Sequence, residues 1–311
     1  MSNAIVYMGR RGGGPSFTYA LFMSNPNFQE VVISEGNELA DQYSLDFAGK
    51  VLTFDLPHRY ADVFKIIHLF RMLWVCLIRY KEITISHYSP VLLLFIFITP
   101  FVKISYVMHD VVPHNGEKFQ RFTHFLLSIF FHQVFVLSEY QRSLYPFARK
   151  KRLRKLLHPL YLHYQSKNLT KLSCDIAPCR FLMFGRIEPY KGLQLIEKIN
   201  SIATQHVLNV VGTGTVELNN NENVGCRIYN QYIPDTMVPS LLDTCEYLIL
   251  PHTQATQSGL FPLAATFNKK VICFDIPVFR EQSKDHKVQT IFVPYNDFSQ
   301  FGKTIEELST K

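Results

Sequence analysis

Short apolar runs, closed by glycine, proline or polar residues, set the rhythm of the chain. In the first half they are Ala4–Met8, Val31–Ser34, Val51–Phe54, Ile83–Ser86, Ile104–Met108 and Val134–Leu137. Each has the length of a buried strand. Between several of them the spacing turns helical, as at Phe17–Met23 and Asp62–Arg79. The second half repeats the scheme, with strands predicted at Phe181–Phe184, Val207–Val211, Ile228–Ile233 and Tyr247–Leu250. Helical spacing follows at Leu193, Leu195, Ile196 and Ile199, at Thr236–Leu242 and at Phe298–Leu308. Such alternation predicts parallel, doubly wound α/β sheets, with functional residues at the C-terminal ends of strands. For 311 residues two domains are expected. They are residues 1–170 and 171–311, joined through the weakly periodic Tyr164–Cys179.

Two segments stand apart. After Asp62, the helix up to Arg79 has only Lys65, His68, Arg71 and Arg79 as polar positions, a cationic stripe about 120° wide. It reads either as a core helix with one wet face or as an interfacial helix on anionic lipid. Ile83–Val102 is uncharged and long enough to span a membrane, but Ser86, His87, Ser89, Pro90 and Pro100 interrupt it. Strand, turn and short helix are expected there instead.

Charge sharpens this picture. Of the net +7, residues up to Asp175 contribute 20 Lys+Arg against 12 Asp+Glu, and the remainder 12 against 13. A basic first half facing an anionic partner is implied. No nucleic-acid signature is present, which leaves a phospholipid surface. Arg149–Lys155 carries six cations in seven residues, a solvated turn or a headgroup site. The six cysteines are scattered without a C-x-x-C pair, as expected of reduced thiols and not of a zinc site. The N-terminus runs from a strand into a glycine loop with no leader pattern, so a cytoplasmic setting is expected.

Candidate chemistry concentrates in Phe181–Gly192, FLMFGRIEPYKG. A strand, a tight turn bearing Arg186 and Lys191, then a helix make an anion site or an ordinary turn with solvated cations. In the first half, Gly9–Gly14 contains Gly12, Gly13 and Gly14 but is neither G-x-G-x-x-G nor a P-loop. It allows close approach of a ligand, or is a flexible turn. Gly212-Thr213-Gly214 is a second close-approach loop.

The spelling GRIEPYKGL resembles the G-R-x-x-x-x-K-G signature of retaining GT-B glycosyltransferases, glycosyltransferase family 4. His252–Ala265, HTQATQSGLFPLAA, resembles the A-T-Q-S-G branch of the same family. The resemblance implies two Rossmann-like domains facing across a cleft. Arg186, Lys191, Gln257, Ser258 and Gly259 would then hold the donor diphosphate. His109-Asp110 and His114-Asn115 resemble the H-N-x-x-P-H segment of one branch, with Asp110 where Asn is common. This makes His109, Asp110 and His114 the catalytic candidates. Ser138, Glu139, Tyr232 and Glu281 are further candidates for donor or acceptor contacts. The implied activity is sugar transfer from a UDP- or GDP-linked donor to a saccharide acceptor, in the assembly of a bacterial surface polysaccharide on a lipid-linked acceptor. The implied setting is the cytoplasmic face of the inner membrane, with no cofactor or metal.

The pattern departs from the family at two points. Ala255 and Leu263 stand where paired glutamates hold the donor sugar and ribose, and Phe274–Glu281 keeps Asp275 and Glu281 without the glycines. The missing carboxylates motivate one alternative, a non-catalytic GT-B protein that binds a nucleotide sugar or supports a partner enzyme; a sugar-nucleotide epimerase on the same fold is the other.

Overall fold

The computed structural model describes residues 2–57, 63–111, 118–145, 152–166, 172–214 and 224–310. The chain divides into two compact units, Met1–Leu169 and Thr170–Lys311.

In the first unit seven strands form one sheet: β1 (Ser2–Tyr7), β2 (Glu30–Ser34), β3 (Val51–Phe54), β4 (Tyr80–Ile85), β5 (Lys103–Met108), β6 (Gln133–Val136) and β7 (Leu153–Lys155). Their order is β3-β2-β1-β4-β5-β6-β7 and every pairing is parallel. Both sheet faces are covered, which is why Ala4, Ile5 and Val6 are all fully buried and the strands β1 and β2 lack alternation. On one face lie α1 (Gly13–Ser24) and α2 (Ala40–Asp46), packed on Ile5, Val31, Ile33 and Val107. On the other lie α3 (Ile66–Arg79), a 3-10 segment Pro90–Ile98 and α4 (Lys118–Phe130), packed on Val6, Ile85, Tyr106 and Val134. α5 (Glu139–Leu144) follows β6.

In the second unit β8 (Phe181–Phe184), β9 (Leu208–Gly212), β10 (Cys226–Asn230), β11 (Tyr247–Leu250), β12 (Lys270–Phe274) and β13 (Thr290–Val293) take the order β10-β9-β8-β11-β12-β13, again all parallel. The helices are α6 (Gln194–Ile202), α7 (Val238–Asp243), α8 (Leu260–Thr266), α9 (Pro277–His286) and α10 (Phe298–Ser309). Both sheets therefore turn back at their first strand, and the order reverses between β1 and β4 and between β8 and β11. Crevices at such switch points, beyond the strands' C-terminal ends, are where doubly wound sheets bind ligands.

Three local readings change. Tyr164 is not linker: Leu162–Gln165 is a 3-10 turn with Tyr164 buried and its hydroxyl 3.0 Å from Ser16 Oγ. Packing of its ring, not periodicity, fixes that turn. Part of the basic run is the edge strand β7, and Arg152 donates to the carbonyls of Ile129 and Phe131 at the end of α4. That guanidinium caps a helix instead of meeting a headgroup; Arg149–Lys151 lie outside the described residues. The helix expected from Asp62 begins with a 3-10 turn, Val63–Lys65, before α3.

Candidate functional site

At the switch point of the second sheet, β8 and β11 deliver two loops side by side. Gly185 ends β8 with φ 116°, and its N–H donates to Val211 O at 3.0 Å. Ile187 N–H then donates to Thr213 O at 2.8 Å, tying the turn to the loop after β9. The backbones here are pressed together: a Cβ on Gly212 would lie 1.8 Å from Gly185 O, and one on Gly214 2.1 Å from Ile187 O. The close approach made by these two glycines is thus to the chain's own backbone.

Pro189–Lys191 forms one 3-10 turn, which Gly192 closes in the left-handed region with φ 77°. A Cβ on Gly192 would lie 1.9 Å from Pro251 O, so only glycine lets this turn seat on the end of β11. Thr253 completes the clamp, donating to Tyr190 O from its N–H at 2.8 Å and from Oγ1 at 3.1 Å. The two sequence motifs are joined by this clamp. α6 starts only at Gln194, after the turn, so Lys191 and Gly192 precede the helix instead of opening it.

The clamp holds Lys191 so that its Nζ sits over Gly185, 2.8 Å from where a Cβ would stand. Burial, then repulsion from Arg186, lowers the ammonium from 10.5 to about 8, against a smaller opposing pull from Glu188. Arg186 itself is exposed. Neither cation hydrogen-bonds or ion-pairs with a carboxylate among the described residues. Two adjacent cations without an ion-paired carboxylate among the described residues, at the C-terminal end of a central parallel strand, are arranged to receive an anion.

The second motif is held from below. Gln282 on α9, almost wholly buried, accepts from Ser258 N–H at 2.9 Å and donates to Ser258 O at 3.1 Å. Ser258 Oγ accepts from Leu260 N–H at 3.3 Å. The Ser258 amide is therefore occupied within the protein. Gln257 Oε1 is buried without a hydrogen bond to a described residue. His252 is buried against Tyr190 and Phe279. Of the positions that lack glutamate, Leu263 is buried in α8 and Ala255 is half-buried. Asp275, at the end of β12, is taken up by Arg280, at 2.5 and 2.6 Å. Glu281 is half-buried on α9, and Tyr232 is 40% exposed in the loop after β10.

The first unit has a candidate site at the equivalent place. His109 follows β5, and its Nε2 lies 2.8 Å from Ser86 O at the end of β4. A carbonyl only accepts, so Nε2 carries the proton and Nδ1 keeps its lone pair. Burial lowers the His109 pKa, outweighing the Ser86 carbonyl and Asp110, so the ring is neutral at pH 7. Phe17 packs edge-on at 4.5 Å. Gln141 on α5 fixes the loop: Nε2 donates to His109 O, and Oε1 accepts from Leu137 N–H at 2.7 Å. Gln141 and Gln282 escaped the sequence reading because neither is charged, nucleophilic or in a motif; each acts only through the loop it holds.

Among the glycines after β1, Gly14 faces the Tyr7 ring, where a Cβ would meet the hydroxyl at 2.3 Å. Gly12 and Gly13 face open space, Gly12 with φ 86°. Ser138 is fully buried and caps α5, accepting from Gln141 N–H at 2.9 Å. Glu139 is exposed and pairs with Arg142 at 3.3 Å. Asp110 is half-buried. His114 lies outside the described residues.

No protein-family model matches the chain, and no curated protein does. Solved structures do. Alr3699/HepE from Anabaena, in complex with UDP and glucose, matches with TM-score 0.68 at 12% identity, over 98% of this chain and 89% of its own. The fold is GT-B. A glycosyltransferase from Rickettsia africae matches with TM-score 0.66 at 11% identity, over 99% and 88% of the two chains. Sucrose-phosphate synthase from Thermosynechococcus elongatus matches with TM-score 0.65 at 11% identity, over 99% and 90%. At these identities the likeness concerns the GT-B fold.

Proposed function

We propose that this GT-B protein is a retaining glycosyltransferase of the family-4 type, moving a sugar from a UDP- or GDP-linked donor to a lipid-linked saccharide acceptor. The observation that carries the reading is the Arg186–Lys191 pair, clamped to the β11 loop through Thr253 and Tyr190, with only the weaker pull of Glu188 opposing its charge and no carboxylate ion-paired to either cation among the described residues. A nucleoside diphosphate supplies the missing negative charge. HepE, which shares the fold, is described in complex with UDP-glucose, a donor of this class.

As the bond from the sugar C1 to the diphosphate oxygen breaks, charge accumulates on the leaving phosphate. Preorganised cations stabilise that charge more than the ground state. Arg186 offers a bidentate fork and Lys191 a point charge; no metal is invoked. His109 presents a neutral Nδ1 as acceptor toward a sugar hydroxyl. The setting that fits a lipid-linked acceptor in surface-polysaccharide synthesis is the cytoplasmic face of the inner membrane.

Calorimetric titration with UDP and GDP tests the donor site. Arg186→Ala and Lys191→Ala should each weaken diphosphate binding by about 10- to 150-fold, the value of a charge-assisted hydrogen bond. Arg186→Lys should not restore the bidentate contact. Unchanged affinity in both alanine variants and in the double variant would reduce the motif to a turn. The buried Leu263 favours one second reading, a nucleotide-sugar binder without transfer. It predicts tight diphosphate binding and no turnover with any acceptor.

A further inference from the structure

Helix α3 has two apolar faces. Leu69, Met72, Leu73 and Cys76 are buried on the first sheet. At 100° per residue, Ile67, Phe70, Trp74 and Ile78 fall on the opposite side, and all four are exposed, Trp74 by 62%. Helix α4 also leaves apolar residues exposed. Leu127 is buried on the sheet, while Phe119, Phe122 and Phe130 are exposed along one flank of the helix, about 60–140° round from it at 100° per residue. Between the two helices, the 3-10 segment and its exit add Phe97 and Phe101, 76% and 74% exposed. All three elements pack on the same sheet face, so these exposed residues belong to one outer layer of the unit. Scattered exposed apolar residues are ordinary, but this many large apolar residues exposed on one layer of the unit mark an interaction surface.

The charges around the layer say what covers it. Arg71 on α3 and Arg121 on α4 flank the apolar stripes, are exposed, and have no carboxylate partner among the described residues. Neither α3, nor Pro90–Val102, nor α4 contains an acidic residue. A second copy of this chain would bring these cations together with no carboxylate to meet them. An anionic bilayer offers an apolar zone for the aromatic residues and headgroup phosphates for the arginines. None of the described helices is long and apolar enough to cross a membrane, so the contact is interfacial.

We infer that the outer face of α3, Pro90–Phe101 and α4 docks on the surface of an anionic phospholipid bilayer. This rests on the lipid-linked acceptor reading above and deepens it by naming the contact surface; its test needs no donor. Trp74 is the single tryptophan of the chain and lies within the proposed contact, so its emission reports docking directly. With phosphatidylglycerol-containing vesicles at low salt, the full chain should co-sediment and Trp74 emission should shift to the blue. Pure phosphatidylcholine vesicles should bind at least about tenfold less. Phe97→Ser with Phe101→Ser should lower partitioning about tenfold or more. Arg71→Gln with Arg121→Gln should lower it about twentyfold, on the order of fivefold per cation. A cooperative thermal unfolding transition within a few degrees of wild type would show that each variant is folded. Absence of both sedimentation and blue shift with anionic vesicles overturns the inference, whatever the UDP titration shows. A concentration-dependent dimer that shifts Trp74 without lipid overturns it too, in favour of self-association.

Discussion

Replacing Lys191 by methionine keeps a long flexible side chain and removes its charge. In the folded protein the ammonium drops from 10.5 to about 8, chiefly because burial disfavours the charged form. The unfolded chain titrates at the ordinary value, so at pH 7 the folded state carries a penalty of about 3 kcal/mol. Methionine removes the penalty but leaves some contacts unfilled, so a net gain of about 1–3 kcal/mol is expected. For a unit of this size that raises Tm by roughly 3–9 °C. The sign has a pH signature. Between about 8 and 10.5 the unfolded chain binds the proton that folded Lys191 gives up, so wild type gains stability as pH rises through that window. The advantage of the variant should therefore be full below pH 8 and vanish near 10.5. Diphosphate should act oppositely, stabilising wild type well above the variant at pH 7. Differential scanning fluorimetry of both proteins, with and without UDP and across this pH range, makes the measurement. A variant less stable than wild type at pH 7 without ligand, or equal stabilisation of both by UDP, would refute the account of Lys191 as a strained, ligand-seeking cation.

Two further outcomes follow from the first unit. His109→Ala should cut turnover by roughly 10²-fold with nucleotide affinity nearly unchanged, and the acid limb of the wild-type rate profile should lie below pH 6.5, since burial keeps His109 neutral; equal activity in the variant would leave His109 a structural tie to Ser86. His163 is buried against Tyr19, Tyr161 and Tyr164, and neither ring nitrogen has a hydrogen bond among the described residues. Burial lowers its pKa to about 3, so the unfolded chain binds a proton below 6.5 that the folded chain refuses, and stability falls as pH drops from there. His163→Phe should raise Tm, and more at pH 5 than at pH 8; a lower Tm at both would mean that the imidazole contributes polar contacts.

The fold was largely legible along the chain. Val31–Ser34, Phe181–Phe184 and Tyr247–Leu250 end as strands where their apolar runs end, because a parallel strand covered on both faces must be apolar throughout. The donor-phosphate candidates were legible for a similar reason: Arg186 and Lys191 sit in a tight turn whose spelling is local. Tertiary structure alone decided the rest. That Pro189–Lys191 seats against Pro251 and Thr253 depends on β8 and β11 being neighbours, and strand order is not written in either segment. Gln141 and Gln282 gained their roles only when folding brought their amides to His109 and Ser258, 32 and 24 residues away. The outer aromatic face of α3 was hidden in a helix that is apolar nearly all round. Periodicity records which positions share a side, but only packing on the sheet determines which of two apolar sides is left facing out.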